Sequence, residues 1–224
     1  MENSKKVIKN FKIIKEKIEI TADECGRDSE DIKLIVVTKQ FSSEMIKPLL
    51  DSGHLFFGEN RVQEAEEKWP TLLDEYRNAE LHMIGHLQTN KVKSAIKIFN
   101  SIHTIDRTSL VEKILKFNKE IKRMNEFFVQ INFDNEKQKN GVSLDSYDDF
   151  IKETNDKLNI SGLMCIPPKT EDPEIYFAFL KQMAQKINLK KLSMGMSGDF
   201  QKAIMLGATH IRVGQAIMGE RTYG

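Results

Sequence analysis

The sequence predicts an α/β fold, a single (β/α)8 TIM barrel with an extra N-terminal helix, spanning residues 1–224. Three observations predict it. Eight short apolar runs recur along the chain. Stretches of helical period separate successive runs. The first run, Leu34 to Thr38, is β-branched and almost continuously apolar, as strands covered on both faces of a parallel sheet are. Eight such units in 224 residues lie slightly below the usual size of these barrels, about 250 residues. A doubly wound open sheet is the alternative, and the count of eight favours the barrel.

In chain order, residues 4–24 place Val7, Phe11, Ile14 and Ile18 on one face among lysines and glutamates. This is an amphipathic helix that docks against the rest, over one barrel end or the outer ring. Asp23 to Glu30 is polar, contains Gly26 and reads as a loop. After the first strand come seven runs: 55–57, 81–84, 101–105, 127–131, 160–165, 191–194 and 210–213. Between them lie helical patterns such as Val62, Ala65 and Trp69, or Phe177, Leu180 and Met183. No linker, low-complexity stretch or internal repeat divides the chain, so one domain is expected.

Basic and acidic residues balance, 34 against 33. That balance offers no electrostatic reason to expect nucleic acid or a membrane surface as partner. No run reaches 18 apolar residues, and the N-terminus lacks a signal-peptide pattern. Cys25 and Cys165 have no metal-ligand spacing. A reducing, cytoplasmic setting and no metal are expected.

The chemistry gathers at strand ends. Lys39 closes the first strand, where barrels of this kind keep their active sites. Partial desolvation there disfavours the ammonium and frees the amine for Schiff-base chemistry. The bland alternative is a lysine snorkelling to water. Asn60 follows the second strand; it either caps the next helix, with Gln63 completing a capping box, or faces a ligand. The decapeptide from His82 to Lys91 turns at Gly85 and clusters polar groups at the mouth. His82 and Ile84 share one strand face. The basic loop from Lys137 to Gly141 reads first as a surface turn.

The last third is the most informative. Ser193-Met194-Gly195-Met196-Ser197-Gly198-Asp199 closes strand seven and opens a helix. Gly214 and Gln215 follow strand eight. Small, glycine-rich loops at these two places form the usual phosphate cradle of such barrels, with backbone N–H groups and a helix dipole directed at the anion. Arg212 lies inside a strand, and a buried guanidinium needs a partner: an internal carboxylate, a phosphate or a ring nitrogen. A mouth lysine opposite a phosphate cradle points to a phosphorylated aldehyde or ketone held as an imine, which fits pyridoxal 5′-phosphate (PLP) and sugar-phosphate aldolase substrates alike.

The runs Val37-Thr38-Lys39, Phe57-Gly58-Glu59-Asn60 with Val62-Gln63-Glu64, His82 to Lys91, Gly162-Leu163-Met164, Leu192 to Ser197 and Arg212-Val213-Gly214 resemble, collinearly, the pyridoxal phosphate homeostasis proteins. The resemblance implies a barrel of the alanine-racemase type carrying PLP as an internal aldimine on Lys39. It implies Arg212 facing the pyridine nitrogen, and Ser197 with the backbone of Gly214 and Gln215 on the phosphate. Asn60, His82 and Ile84 fall where the family lines the ring pocket, and Ser193 and Met196 belong to the same cofactor-binding stretch. Lys139 matches a loop lysine linked to cofactor exchange. Two positions depart from the pattern: Gln40 stands where proline often follows the lysine, and Gln215 where a small hydroxyl residue is common.

Three functions are open at this point. The first is a non-catalytic PLP carrier that buffers the aldehyde and passes it to PLP-dependent apoenzymes as a monomer. The second is a PLP-dependent amino-acid racemase. The third is a PLP-free Schiff-base aldolase. The resembling racemases complete their site with a C-terminal β domain, whereas here the chain runs ten residues past Gly214. Tyr76 and Tyr147 lie in helical stretches and Tyr223 in a tail, so no tyrosine is expected as a second acid/base. These features favour the carrier.

Overall fold

Leu34–Val37 is buried on every side, as its β-branched composition requires. In the computed structural model, which describes residues 2–121, 125–134 and 140–220, it belongs to strand β1 (Lys33–Val37). The chain continues through β2 (Phe56–Glu59), β3 (Glu80–Met83), β4 (Ser101–Ile105) and β5 (Glu126–Asn132). Then follow β6 (Val142–Ser143), β7 (Ile160–Cys165), β8 (Lys191–Ser193) and β9 (His210–Val213). All pairings are parallel. The order β4-β3-β2-β1-β9-β8-β7-β5 closes on itself through β4–β5, so eight strands form the ring. This is the barrel expected.

The expected strands sit within a residue or two of the observed ones. One strand was not foreseen: β6, two residues long, extends the end of β5 outside the ring. Two residues carry no periodicity, so the pattern could not reveal it. Lys137, Gln138 and Lys139 lie outside the described residues, as does Tyr223.

Helices α1 (Glu2–Glu24), α2 (Ser43–Asp51), α3 (Val62–Glu75), α4 (Val92–Ile98), α5 (Thr108–Ile121), α6 (Leu144–Asn155), α7 (Pro173–Lys186), α8 (Phe200–Met205) and α9 (Gln215–Met218) surround the ring. Alternate strand residues such as Leu34, Val36, Phe57 and Leu81 bury against them in the principal core. The apolar stripe of α1 packs on the outer ring, against α2, α8 and α9. Three hydrogen bonds pin this end of the chain: Asn10 to Ile217 O (3.1 Å), Gln201 to Thr21 (3.1 Å) and Arg27 to Ile204 O (2.6 Å). The N-terminal helix therefore covers the seam where the last strand meets the first. No helix among the described residues is long and apolar enough to cross a membrane.

The opposite strand parity points into the barrel and is unusually polar. At the N-terminal end Lys33 pairs with Glu80 (3.0 Å) and Lys191 with Glu126. Lys33 also lies over the Phe56 ring, 4.3 Å from its centroid. Above them His82, His103, His210 and Phe128 pack ring on ring, with His103 stacked on Phe128 at 4.3 Å. Layers contributed by alternating strands are how such barrels fill their interior.

Candidate functional site

β1 ends in a four-residue turn, Thr38–Phe41, closed by the Phe41 N–H on Thr38 O (3.1 Å). Lys39 occupies its second position and is half-buried. It opens on a cavity of about 380 Å³ lined by Val37, Phe41, Gly214, Gln215, Gly219 and Glu220. The C-terminal ends of β1 and β9 thus place a lysine opposite a glycine-led helix start. Ser197 joins this wall, its hydroxyl oxygen accepting the Ala216 N–H at 3.4 Å. Met196, largely exposed, sits on the same loop. The loop is held by Asp199, whose carboxylate accepts the Met196 N–H at 2.5 Å. Gly195 needs its glycine: φ is +91°, and a Cβ would lie 2.6 Å from that of Ala203.

Beneath the cavity lies a line of buried polar groups. Arg212, 4% exposed, donates to Ser193 Oγ (2.7 Å) and to Cys165 O (2.9 Å). Among the described ion pairs no carboxylate partners it, so the internal salt bridge considered from sequence is replaced by neutral acceptors. Its guanidinium has five N–H groups, and these two bonds leave others to direct at a ligand. Burial of the Arg212 cation with no carboxylate in direct contact among the described residues is the feature that most asks for an anionic or lone-pair-bearing ligand.

The line continues to His103 and His82. Ser193 Oγ lies 2.8 Å from His103 Nδ1, and His103 Nε2 lies 3.0 Å from His82 Nδ1. Ser193 accepts from Arg212, which can only donate; at the other end His82 Nε2 faces the acceptor-only Glu80 carboxylate, so a neutral His82 keeps its proton there and accepts at Nδ1, and the Ser193 proton goes to His103 Nδ1. His103 then carries its proton on Nε2 and gives it to His82 Nδ1. His82 in turn carries its proton on Nε2, aimed at Glu80 Oε2 3.7 Å away. Burial holds both imidazoles well below the usual histidine range, so both are neutral. Nitrogen-15 NMR at pH 7 is expected to show both rings protonated on Nε2 alone; an Nδ1–H signal from His103 would reverse the direction of the chain.

His82, expected at the ring pocket, is wholly buried in the barrel interior and is not among the residues lining the cavity. Ile84 reaches the mouth side of the barrel, where its side chain and that of Ile35 crowd Gly58. Asn60 lines a separate cleft with Gly85, His86 and Lys91. The expectation that Asn60 caps the next helix is corrected. α3 begins at Val62 with Arg61 in the cap position and no side-chain cap bond, and Gln63 bonds Glu67 at 3.4 Å. The Asn60 backbone is pressed against Gly85, and its buried Oδ1 has no hydrogen-bond partner among the described residues. Asp199 takes the cap position expected of it, with α8 beginning at Phe200.

Sequence reasoning missed His103 and His210 because each is one polar residue in an apolar run. Their inward parity, shared with His82 and Arg212, was the available signal. It also missed Glu59, which is fully buried and accepts from Thr38 Oγ1 (2.7 Å) and Trp69 Nε1 (3.0 Å). Burial pushes its pKa up, against the pull of Lys68, Trp69 and Thr38.

Comparison with known proteins gives the same picture. The family described as alanine racemase, N-terminal domain, matches residues 13–222. A pyridoxal phosphate homeostasis protein of Aquifex aeolicus is 35% identical over 219 residues, covering 93% of this chain and 95% of that protein. One from Escherichia coli K12 is 33% identical over 226 residues, with 96% of each covered. PipY of Synechococcus elongatus, solved with PLP bound, superposes with a TM-score of 0.79 at 29% identity, covering 91% of this chain and all of PipY (100%). Alanine racemase of Clostridium difficile shares the fold, with a TM-score of 0.71 at 17% identity, covering 95% of this chain but 56% of the racemase. Matched over nearly its whole length by these relatives, the chain belongs to the family of pyridoxal phosphate homeostasis proteins, built on the barrel of the alanine racemase N-terminal domain.

Proposed function

We propose that this protein binds pyridoxal 5′-phosphate covalently on Lys39 and serves its intracellular homeostasis as a carrier, without significant catalysis. The observation that carries this is the placement of Lys39 and of Gly214 and Gln215 on one cavity at the C-terminal end of the barrel. The name borne by its relatives and the PLP-bound PipY support it. PLP supplies a reactive aldehyde and, when bound, an aromatic ring able to withdraw electrons.

The residues suit that group. Lys39 provides the amine. Ser197, with the backbone N–H groups of Gly214 and Gln215, is the proposed holder of the phosphate; through its backbone Gln215 loses nothing by lacking a hydroxyl. Ser193, Met196 and Ile84 complete the pocket in this reading, with His82 behind it, and Asn60 is assigned to the ring from the neighbouring cleft. Arg212 donates toward the pyridine nitrogen. Because arginine keeps its proton at ordinary pH, it leaves that nitrogen unprotonated and the ring a poor electron sink. The described tyrosines do not line the cavity: Tyr76 bonds Asp51, Tyr147 bonds Met183 O and Tyr176 bonds Glu171. A racemase would need a second proton-transfer group on the other substrate face, so the site favours holding over turnover.

The proposal extends to one domain over residues 1–224, a cytoplasmic monomer, and PLP-dependent apoenzymes as recipients. Lys139 is proposed to assist release. Borohydride reduction of the PLP-treated protein, followed by peptide mass mapping, is expected to leave one pyridoxyl group, on Lys39. Lys39→Ala is expected to lose the visible absorption band and the label. A label elsewhere, or none on the unsubstituted protein, would sink the assignment. Sustained Cα-proton exchange of alanine in D2O would replace the carrier by the racemase.

A further inference from the structure

The turn that carries Lys39 is held from outside at both ends and at its third residue. Lys68, on α3, is 8% exposed and points its ammonium at Thr38 O (2.9 Å) and Phe41 O (3.0 Å), the two carbonyls flanking the turn. The same ammonium contacts Glu59 Oε1 (2.7 Å) and Glu64 Oε1 (3.0 Å). Glu64 Oε1 also accepts the Gln40 N–H at 2.5 Å, and Glu59 Oε1 accepts the Thr38 hydroxyl at 2.7 Å. Trp69, fully buried beside Lys68 on α3, donates to Glu59 as well and fixes that carboxylate. Two carboxylates and one ammonium therefore bind both ends and the middle of a four-residue turn.

The conformation they hold is not one the backbone adopts readily. Gln40 has φ of +66°, in the left-handed region that a non-glycine residue enters at a cost of about 1 kcal/mol or more. A turn of this shape, with positive φ at its third position, ordinarily uses glycine or asparagine there. The bond from Gln40 N–H to Glu64 is the compensation. Proline at position 40 could neither make that bond nor reach that φ.

We propose that Lys68 and Glu64 are positioning residues for Lys39: they hold its turn so that its amine meets an aldehyde entering the cavity, with Gln40 as the left-handed hinge they restrain. The inference rests on the PLP reading for the identity of the aldehyde but not for the clamp itself. In the condensation the Lys39 amine adds to the aldehyde carbon, a C–N bond forms, and the aldehyde oxygen leaves as water carrying the two amine protons. None of the clamp atoms enters that balance. Their part is geometric, and a misplacement of about 1 Å can slow a reaction between fixed groups by about a hundredfold. Lys68 itself is engaged by four oxygens, so the aldehyde meets Lys39 and not its neighbour.

The test uses Lys68→Met, Lys68→Arg, Glu64→Gln and Gln40→Pro in the full chain, with two readouts. The first needs no cofactor: amide hydrogen exchange at Gln40, expected to rise about tenfold in Glu64→Gln and Lys68→Met as the restraint is lost. The second is the stopped-flow rate of PLP condensation, with the labelled residue mapped after borohydride. It is expected to fall about tenfold in Lys68→Met and Gln40→Pro and to recover in part in Lys68→Arg. Glu64 is half-buried at the surface, so Glu64→Gln keeps the fold even if loss of Lys68 does not. Unchanged Gln40 exchange and an unchanged rate in folded Glu64→Gln overturn the clamp. Failure of the unsubstituted protein to take PLP on Lys39 overturns the functional reading instead, and leaves the exchange result to decide the clamp.

Discussion

Acidification below pH 6.5 is expected to destabilise this protein steeply, by about 5 kcal/mol per pH unit once the pH is a unit below that value. The cause is buried histidine. His82 and His103 are held well below their usual range by burial and by neighbouring cationic or histidine groups, His210 is lowered to about 3 and His54 to about 4. In the unfolded chain each takes a proton near pH 6.5. Between that pH and the folded value the unfolded state binds more protons, so stability falls with falling pH by about 1.4 kcal/mol per unit for each such histidine. The contribution is whole above pH 6.5 and is lost downward. Glu59 opposes it, because its folded pKa is raised and the folded state takes that proton first. Against a typical reserve of about 5–15 kcal/mol, unfolding is expected between about pH 3.5 and 5.5. Urea melts at pH 7, 6 and 5 measure it. His54→Leu offers a control outside the barrel, since His54 packs edge-on against Phe11 and Phe57 at 4.9 and 5.1 Å. It is expected to flatten the slope by about 1.4 kcal/mol per unit. Equal urea midpoints at pH 7 and 5 would contradict the neutral histidine chain.

Gly85→Ala is expected to cost about 3 kcal/mol, one of the largest losses available to a single methyl group. The added Cβ would lie 2.2 Å from Asn60 O, 2.7 Å from its Cα and 2.8 Å from its carbonyl carbon. All three are backbone atoms, so no rotamer change relieves the overlap. The loop after β2 would have to move away from the end of β3, taking Asn60 out of the barrel mouth. Gly198→Ala is the control: its Cβ meets nothing within 4 Å, and a change within about 0.5 kcal/mol is expected. A Gly85→Ala protein as stable as Gly198→Ala would mean that the two loops do not approach as closely as described.

Much of this was legible in the sequence. Strands such as Leu34–Val37 and Phe127–Ile131 are buried on both faces, so their apolar runs are unbroken but for Gln130 and their limits are sharp. The stripe Val7, Phe11, Ile14, Ile18 identified α1, because only one face of a surface helix needs to be apolar. Lys39, Gly214 and Gln215 could be placed on one site because strand ends in a closed barrel share one rim. Lys68 was invisible, and Glu64 stood in a resembling run with no role assigned to it. In a window of charges such as Glu64, Glu66, Glu67 and Lys68, nothing local says which side chain turns inward; that depends on where α3 lies against the turn after β1.

The sequence by itself determined the eight strands, the helices between them and the lysine at the end of the first strand. These follow from local rules: periodicity, turn residues and the cost of burying polar backbone. Tertiary structure alone decided what each inward polar residue does. Closure of β4 on β5 and of β9 on β1 brings His82 and His103, on β3 and β4, into line with Ser193 and Arg212, on β8 and β9, from opposite halves of the chain. It likewise sets Lys33 and Lys191 in ion pairs at one end of the barrel and leaves Lys39 on the cavity at the other. A lysine's chemistry depends on the charges and solvent around it, and those are supplied by residues from other strands and helices.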